Sequence, residues 1–420
     1  MRPMADRPVD SLEVRTEVRA WLAHNWDPEL PLLEWRGRLA DSGWACPTWP
    51  RAWFGSDLDT TNAAVVAEEF ARVGAVGAAI GAGMSLAAPT ILEHGSAELR
   101  TRLLRSIITG EHKWCQLFSE PGNGSDLAGL TTTARRDGDE WIVSGQKVWT
   151  SGARTATYGM LLARTDWDTS KHRGITYFAL RMDQPGIEVR PLRQMNTKAS
   201  FNEVFLTDVR LPDCDRISGV GEGWRAALTT LAHERAAAGM RAPQLQQPPS
   251  GRTAREAHAE ASEYLKTYDW YPQRAGRTDL LVEHARRAGR NSDVLIRNEV
   301  ASAVSFSEAA KWTARRAASA RAAGRAPGPD GSLGKLSGAL LARTSASAHA
   351  RIAGPHGMLG AGPDAPFAGV IAEILVSVPG HSIAGGTDEI QRNIIGERIL
   401  GLPKEPADDG ERPFRDLRRN

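Results

Sequence analysis

Residues 114–126, which read Trp-Cys-Gln-Leu-Phe-Ser-Glu-Pro-Gly-Asn-Gly-Ser-Asp, decide the character of the middle of this chain. The pattern predicts a β-strand that runs into a glycine-punctuated loop, which offers backbone N–H groups and hydroxyls without bulk in the way. Residues 145–152, Gly-Gln-Lys-Val-Trp-Thr-Ser-Gly, predict a strand that ends with an aromatic plane beside a hydroxyl. Either stretch alone is compatible with an ordinary turn. Together they are suited to hold a flat ring with a polar edge.

A region of strands surrounds these two motifs. Residues 131–135 and 140–144 flank Asp137-Gly138-Asp139, which is a strong hairpin signal. β-branched and aromatic residues separated by turn formers predict further strands. These lie at residues 174–182, 187–190 and 203–206.

Helical patterns precede and follow the strands. Val14, Val18, Trp21 and Leu22 fall at helical spacing, and long segments rich in Ala, Arg and Leu run from residue 223 to residue 402. The order is therefore helices, strands, helices. Because βαβ alternation is absent, a doubly wound nucleotide-binding fold is disfavoured.

These changes from helical to strand patterns and back predict the domain boundaries. We expect an N-terminal helical domain at 1–112, a central β domain at 113–218, a C-terminal helical domain at 219–403 and a charged tail at 404–420. Prolines predict loops at 239–253 and 324–334, since proline cannot donate within a helix. The tail is expected to be a frayed terminus.

Composition narrows the class of protein. The 420 residues carry 52 basic and 50 acidic side chains, so the charge gives no argument for nucleic acid or an anionic membrane as a partner. Cys46, Cys115 and Cys214 form no C-x-x-C pair, which disfavours disulfides and a metal site. The N-terminus lacks the apolar core of a signal peptide, and no membrane-spanning stretch is apparent. We expect a soluble, cytoplasmic protein.

The two motifs, in this order and spacing, closely resemble the acyl-CoA dehydrogenase family. The resemblance extends to residues 201–212 and to residues 385–393, Gly-Gly-Thr-Asp-Glu-Ile-Gln-Arg-Asn, and covers roughly residues 10–402. It implies an FAD-dependent enzyme that oxidises the α,β carbon–carbon bond of a CoA thioester and passes electrons to an electron-transferring flavoprotein. The expected fold is α+β, with an N-terminal helical domain, a central β-barrel or sandwich and a C-terminal four-helix bundle.

The resemblance also implies roles for individual residues. Residues at the positions of Gln116, Phe118 and Ser119 line the flavin in the family, and those at Trp149 and Ser151 pack against its ring and bond to its edge. Gly124 and Ser125 are expected where the loop meets flavin, and Ser125 also where it meets substrate. Two further cofactor contacts are expected in the C-terminal loop, at Thr387 and Glu389.

The carboxylate that removes the α-proton is not where many relatives carry it. The matching stretch here is Ala384-Gly385-Gly386-Thr387, so Gly385 replaces the expected Glu. A minority of the family supplies the base from an earlier helix, in a Glu-Arg segment, and this chain has Glu234-Arg235 within a run of alanines. We therefore predict Glu234 as the base, facing an apolar pocket. Arg235 is expected near the substrate, and His233 is expected only to pack.

A second departure concerns the cofactor phosphates. The family's R-x-Q-F-G segment, which clamps the FAD pyrophosphate of a neighbouring subunit, is missing, and Arg274, Arg277 and Arg287 are interpreted as surface charges. This pattern resembles one subunit of the heteromeric dehydrogenases that act on steroid side-chain CoA thioesters. The expected assembly is a homo-oligomer or a heterotetramer with a related subunit, and the two glycines leave room for a bulky acyl group.

Two other functions remain open from the sequence. Some relatives use flavin as oxidases or monooxygenases on substrates without CoA, and the proline-rich insertion after Glu234 is able to reshape the pocket. A non-catalytic partner subunit of a heteromer is the other alternative, which the missing clamp favours and Glu234 opposes.

Overall fold

The computed structural model of the protein describes residues 10–237, 250–322, 330–404, 406 and 411–417. The chain divides into two compact units. The first consists of Met1–Leu192, Ser200–Thr267 and Asp408–Asn420, and the second of Arg193–Ala199 and Tyr268–Ala407.

Five helices form the N-terminal part of the first unit, as the sequence predicts. They are α1 Ser11–Asn25, α2 Leu32–Ser42, α3 Thr60–Val73, α4 Ala88–His94 and α5 Ala97–Thr109. The carboxylate of Asp10 caps α1 by accepting from the Leu12 N–H, and Val14, Val18 and Leu22 give this helix one buried face. That face belongs to a core that also contains Trp35, which is completely buried.

A seven-stranded sheet follows the helices in the same unit. Its strands are β1 Trp114–Leu117, β2 Thr133–Asp137, β3 Glu140–Ser151, β4 Tyr158–Arg164, β5 Ile175–Arg181, β6 Ile187–Leu192 and β7 Phe201–Pro212. The predicted β2–β3 hairpin is confirmed, with Asp137 opposite Glu140. The sequence prediction missed β4, because all seven of its residues are buried and no alternation marks it.

The sheet curls around one core. Strand order is β1-β4-β2-β3-β7-β6, with β5 paired to β4. Cys115 and Leu117 of β1 lie in the same buried cluster as residues of β2, β3, β4, β5 and β7. Trp114 and Phe118, which point to the opposite face of the sheet, pack instead with the helices. A curled sheet is therefore observed, and the predicted closure into a barrel or sandwich is not confirmed.

Two further helices belong to the first unit, α6 Gly223–Ala237 and α7 Gly251–Lys266. The predicted loop at 239–253 is wrong at its end, because α7 begins at Gly251. The φ of this first residue is 78°, a left-handed conformation that favours glycine. Residues 239–249 of that prediction lie outside the described residues. Polar contacts tie α7 to α2, through the Arg36–Glu260 ion pair and the Leu32 N–H, which donates to the Glu256 carboxylate at 2.8 Å.

The second unit is helical. Its helices are α8 Tyr271–Arg274, α9 Leu281–Arg287, α10 Val294–Ala322, α11 Asp330–Ala353, α12 Val370–Ser377, α13 Pro379–Ile383 and α14 Asp388–Arg398. Helix α11 contributes to both buried clusters of the unit, with Ala348 and Ile352 in one and Ala342 in the other. A helical C-terminal region is thus observed, whereas a four-helix bundle is not confirmed. The loop predicted at 324–334 is wrong at residues 330–334, which belong to α11, and its residues 324–329 lie outside the described residues.

One stretch of the second unit, Pro366–Arg398, is long and apolar enough to cross a membrane by length and composition alone. It is not one uninterrupted helix here. A turn containing Gly385 (φ 70°) and Gly386 (φ 86°) separates α13 from α14. The stretch consists of short helices that contribute Ile371, Ile374 and Val378 to a buried cluster.

The charged tail is not simply frayed. Within residues 411–417 the ring of Phe414 is 3% exposed, and the main chain bonds to a turn after β4, with the Phe414 N–H donating to the Thr169 carbonyl at 2.9 Å. The expectation of a frayed terminus is wrong for this segment. A single aromatic residue anchors it, because burying a phenyl ring offsets the entropy of ordering a short chain.

Candidate active site

The glycine-punctuated loop is held by a buried carboxylate. Glu120 accepts hydrogen bonds from the Thr131 N–H (2.7 Å), the Thr131 hydroxyl (2.8 Å), the Thr132 N–H (2.8 Å) and Lys147 Nζ (2.9 Å). Lys147 also donates to the Phe118 carbonyl at 3.1 Å. The side chains of Glu120 and Lys147 are 4% and 0% exposed. This ion pair fastens both ends of the loop to the middle of β3.

Burial and pairing act in opposite directions on these two groups. Burial disfavours the ionised form of Glu120, but the charge of Lys147 and hydrogen bonds from Thr132 and Lys147 outweigh it and lower the pKa of Glu120 to about 2. Burial also lowers the pKa of Lys147, against the raising effect of Glu120. The short Lys147–Glu120 contact and the four donors on the carboxylate make Glu120 an ionised structural group at neutral pH.

Trp149 lies where β3 is irregular. The register against β7 shifts between Lys147 and Thr150, and Trp149 has a φ of 63°. The bulge turns the indole out of the sheet, so that it is 56% exposed and meets Phe201 edge to face at 5.7 Å. A left-handed conformation in a bulky residue costs about 1 kcal/mol or more, and such strain is typical of functional sites.

The bulge and the loop are joined through the main chain. The Val148 N–H donates to the Ser119 carbonyl at 2.9 Å, which brings Ser119 next to Trp149. The side chains of Ser119 and Ser151 are half-buried, and no described residue makes a hydrogen bond to either hydroxyl. Gly124 and Ser125 lie exposed on the loop, and a side chain at Gly124 would meet no atom within 4 Å.

Phe118 differs from the other residues of this group. Its ring is 3% exposed and packs edge to face on Tyr177 at 5.6 Å, inside the core between sheet and helices. Its side chain therefore fills the core beneath the loop. The predicted flavin contact of Phe118 stays a prediction.

Helix α6 delivers Glu234 to the same face of the sheet as Gln116. Gly223, Ala226, Ala227 and Thr230 form its buried stripe, spaced by three and four residues, and Glu234 is the next position on that stripe. It is half-buried and accepts a hydrogen bond from Gln116 Nε2 at 3.3 Å. Gln116 shares its face of β1 with Trp114 and Phe118. An amide thus contacts Glu234, where the sequence predicted an apolar pocket.

Hydroxyl groups anchor α6 one turn before Glu234. Thr230 Oγ1 lies 3.1 Å from the Tyr177 hydroxyl and 2.8 Å from Thr90 Oγ1, and all three side chains are completely buried. Burial raises the pKa of Tyr177, so the phenol stays a neutral hydrogen-bonding group. His94 Nε2 contacts the Thr229 hydroxyl at 2.8 Å beside this row. These bonds fix the rotation of α6 about its axis and therefore the direction of Glu234.

Arg235 and His233 lie on the outer side of α6. Both are exposed, as expected for positions about 100° to either side of Glu234. The substrate role of Arg235 stays a prediction.

The C-terminal turn belongs to the second unit. Thr387 caps α14, where its hydroxyl accepts from the Ile390 N–H at 3.3 Å, and Glu389 is exposed in the first turn. Gln391, which is 1% exposed, donates to the Gly385 carbonyl at 3.0 Å and stabilises the double-glycine turn. The cofactor roles of Thr387 and Glu389 stay predictions.

Three arginines considered for a phosphate clamp have local partners. Arg277 pairs with Asp279 and Arg287 with Glu283, as surface charges do. Arg274 donates to the Gly380 carbonyl at 3.2 Å and lies over Tyr271. None of these contacts points to a phosphate.

The donor set of the first unit fits a flavin. A flavin needs a flat apolar neighbour and hydrogen-bonding groups at its polar edge. The exposed indole of Trp149 meets the first need, and the hydroxyls of Ser119 and Ser151 meet the second. No group of three or more His, Cys, Asp or Glu residues within the described ranges is arranged to hold a metal ion.

Sequence reasoning missed the residues that hold the loop in place. Glu120 and Lys147 lie inside the two motifs but received no role, and Arg164, which is completely buried, lies in the strand that was not predicted. A charged residue closing an otherwise apolar run, as in Tyr158–Arg164, was the available signal for Arg164.

Comparisons with known proteins agree with this geometry. The chain matches models of the acyl-CoA dehydrogenase N-terminal domain (residues 10–111), middle domain (115–209) and C-terminal domain (274–400). Acyl-CoA dehydrogenase IpdE1 of Mycobacterium tuberculosis is 34% identical over 420 residues, which cover 94% of this chain and 99% of the relative. Acyl-CoA dehydrogenase FadE34 of the same organism is 36% identical over 399 residues, covering 94% of this chain and 50% of FadE34.

Two solved structures with similar folds are assemblies of two named subunits. The ChsE4–ChsE5 complex from Mycobacterium tuberculosis aligns with a TM-score of 0.63 at 27% identity, covering 96% of this chain and 100% of the other. A variant of the Tcur3481–Tcur3483 steroid ACAD aligns with a TM-score of 0.63 at 25% identity, covering 95% and 100%. From the loop, the bulged strand and these matches together, this chain belongs to the acyl-CoA dehydrogenase family of flavoprotein oxidoreductases.

Proposed function

We propose that this enzyme removes hydrogen from the α and β carbons of a bulky acyl-CoA thioester, with Glu234 as the base. The observation that carries the proposal is the position of Glu234 at the end of the buried stripe of α6, hydrogen-bonded to Gln116 on β1. Gln116 lies three residues before Ser119, whose carbonyl is bonded to the Trp149 bulge. The carboxylate is thereby connected to the residues proposed to bind the flavin ring through β1 and one main-chain hydrogen bond within one unit.

The reaction consists of two transfers, a proton from the α-carbon and a hydride from the β-carbon. Trp149, Ser119 and Ser151 would hold FAD, which would supply the hydride-accepting chemistry for the β-carbon, with an electron-transferring flavoprotein as the proposed electron acceptor. Glu234 takes the proton from the α-carbon as that carbon–hydrogen bond breaks. The Gln116 amide orients the carboxylate, and the Tyr177–Thr230–Thr90 row keeps α6 from rotating.

The conformation of the double-glycine turn disfavours a catalytic Glu at position 385, which is consistent with a base on another element. Gly385 has a φ of 70° and Gly386 a φ of 86°, a region in which side chains other than glycine are strained. A Glu at position 385 would have space, since no atom lies within 4 Å of the added Cβ, but it would need a different main-chain path. The turn and a helix-borne base are therefore consistent with each other.

We infer a steroid side-chain-like thioester as the substrate class and a related subunit as a partner. Support comes from the similarity to a steroid ACAD and to the ChsE4–ChsE5 complex, and from the missing phosphate clamp. The assembly proposed is a heterotetramer, with a homo-oligomer as the alternative. We assign it to the cytoplasm, where Cys46, Cys115 and Cys214, which are all free, stay reduced.

The test is anaerobic flavin reduction by a panel of CoA thioesters, run on the chain alone and co-purified with a related subunit. Glu234→Gln keeps the size of the side chain but removes the base, so reduction should slow by about a thousandfold. His233→Ala, on the exposed side of the same turn, should reduce flavin at the wild-type rate.

Three results would contradict the proposal. A Glu234→Gln enzyme that reduces flavin normally removes Glu234 from the mechanism. Oxygen consumption with substrates lacking CoA favours an oxidase or monooxygenase. A chain that is colourless and inactive alone and with every related subunit favours a non-catalytic partner.

A further inference from the structure

The C-terminal segment 411–417, here called the strap, lies against residues that hold the flavin-side loop. The Phe414 N–H donates to the Thr169 carbonyl at 2.9 Å and the Arg415 N–H to the Trp167 carbonyl at 3.0 Å. Pro413 pairs with Ser170 in an isolated bridge. The strap is thus bonded along the turn that follows β4, far from its place in the sequence.

Phe414, which anchors the strap, stacks on the buried guanidinium of Arg164. The guanidinium of Arg164 lies 3.4 Å from the centroid of the Phe414 ring, and Trp167 meets the same ring at 5.4 Å. Arg164 is 0% exposed and Phe414 is 3% exposed. A desolvated cation over an aromatic face is stabilised by the ring quadrupole more strongly than one at the surface.

Arg164 also makes hydrogen bonds to the loop. Its Nη2 donates to the Ala128 carbonyl at 2.6 Å and its Nε to the Leu130 carbonyl at 3.0 Å, while Nη1 donates to the Lys171 carbonyl at 3.1 Å. Lys171 in turn pairs with Asp126 at 2.7 Å. One guanidinium fork therefore fixes residues 128–130, next to Thr131 and Thr132, which bond to Glu120.

We propose that Phe414 and Arg164 are positioning residues, through which the strap keeps residues 123–132 in the conformation that binds the flavin. Phe414 covers Arg164, excludes water from it and holds its guanidinium in the orientation that bonds to the Ala128, Leu130 and Lys171 carbonyls. Without the Phe414 ring, the Arg164 guanidinium is less restrained, so residues 123–132 open more often. The effect on loop order stands on the contacts above, whereas the effect on the cofactor rests on the function proposed in the preceding subsection.

Hydrogen–deuterium exchange of the full-length flavin-loaded protein tests the proposal. Phe414→Leu keeps an apolar side chain but removes the aromatic face, so amides in residues 123–132 should exchange about tenfold faster. Phe414→Tyr, which keeps the face, should restore slow exchange. The matched control is Arg412→Ala, since Arg412 is an exposed strap residue whose bond goes to the Asp416 carbonyl.

The release rate of bound FAD gives a second readout, which needs no substrate. In Phe414→Leu it should rise by a factor similar to that of the exchange rate, with no such rise in Phe414→Tyr or Arg412→Ala. Unchanged exchange in Phe414→Leu, or equal acceleration in β6 and β7, would overturn a specific role for the strap. Faster loop exchange with unchanged FAD release would overturn the link to the cofactor and leave the Glu234 experiment unaffected.

Discussion

Two glutamates of this enzyme, Glu120 in the glycine-punctuated loop and Glu234 on α6, have different surroundings. Glu120 is 5% exposed and accepts four hydrogen bonds, one of them from a buried lysine. Glu234 is half-buried and accepts a bond from the neutral amide of Gln116. Both residues occur in motifs that resemble the family, but the sequence predicted a role only for Glu234.

The difference separates a structural carboxylate from one suited to proton transfer. A carboxylate whose pKa is lowered to about 2 by a cation and several donors is too weak a base to take a proton from carbon. It contributes instead to the geometry of the loop. Glu234 is half-buried, so part of its surface faces water, and the Gln116 amide donates to one of its carboxylate oxygens.

The largest expected effect follows from breaking the buried pair. Lys147→Met removes the cation and leaves Glu120 buried without its charge partner, which should lower the free energy of unfolding by about 3–5 kcal/mol. Chemical denaturation followed by circular dichroism measures the change. Lys113→Met, at an exposed lysine just before β1, should change it by less than about 0.5 kcal/mol. Equal effects of the two substitutions would mean that the pair does not stabilise the loop.

Lowering the pH should have the next largest effect on the free energy of unfolding. The pKa of Glu120 in the folded enzyme is about 2, below its ordinary value of 4.5. Its stabilising contribution, about 3 kcal/mol, is therefore complete above pH about 4.5 and is lost as the pH falls toward 2. Unfolding free energies of the wild type and Glu120→Gln should differ most at neutral pH and converge in acid. A difference that stays constant from pH 7 to 2.5 would contradict this account.

The smallest expected effect concerns the orientation of Glu234. Gln116→Met keeps the length of the side chain but removes the amide donor, so flavin reduction should slow by about tenfold, as expected for one hydrogen bond to a charged group. The free energy of unfolding should stay within about 1 kcal/mol of the wild type. Stopped-flow reduction and denaturation curves measure the two quantities. A normal reduction rate would leave Gln116 without a role in orienting the base.

Local patterns predicted the parts of the fold that depend on neighbouring residues. The β2–β3 hairpin follows from turn formers at Asp137-Gly138-Asp139, and α1 follows from helical spacing of Val14, Val18 and Leu22. Strand β4 could not be found in this way, because a strand buried on both faces shows no alternation. Closure of the sheet depends on pairing between distant segments, for which no local signal exists.

Within the site, sequence similarity identified candidates and could not rank them. It placed Phe118 with Gln116 and Ser119, yet only the folded chain shows the ring of Phe118 in the core. It named Glu234, but its amide partner lies 118 positions away in the chain. It also left Phe414 in a charged tail, where a lone aromatic residue is the only hint of an anchor.

The amino-acid sequence by itself determined the family, the helix–strand–helix order and the set of residues able to bind a ring or take a proton. These follow from short motifs, because main-chain conformation and side-chain chemistry are properties of residues near one another. The tertiary structure alone decided that Glu120 pairs with a buried lysine and that Glu234 lies beside Gln116. It also decided that Arg164 lies under Phe414. Charge pairing and burial arise between residues that only folding brings together.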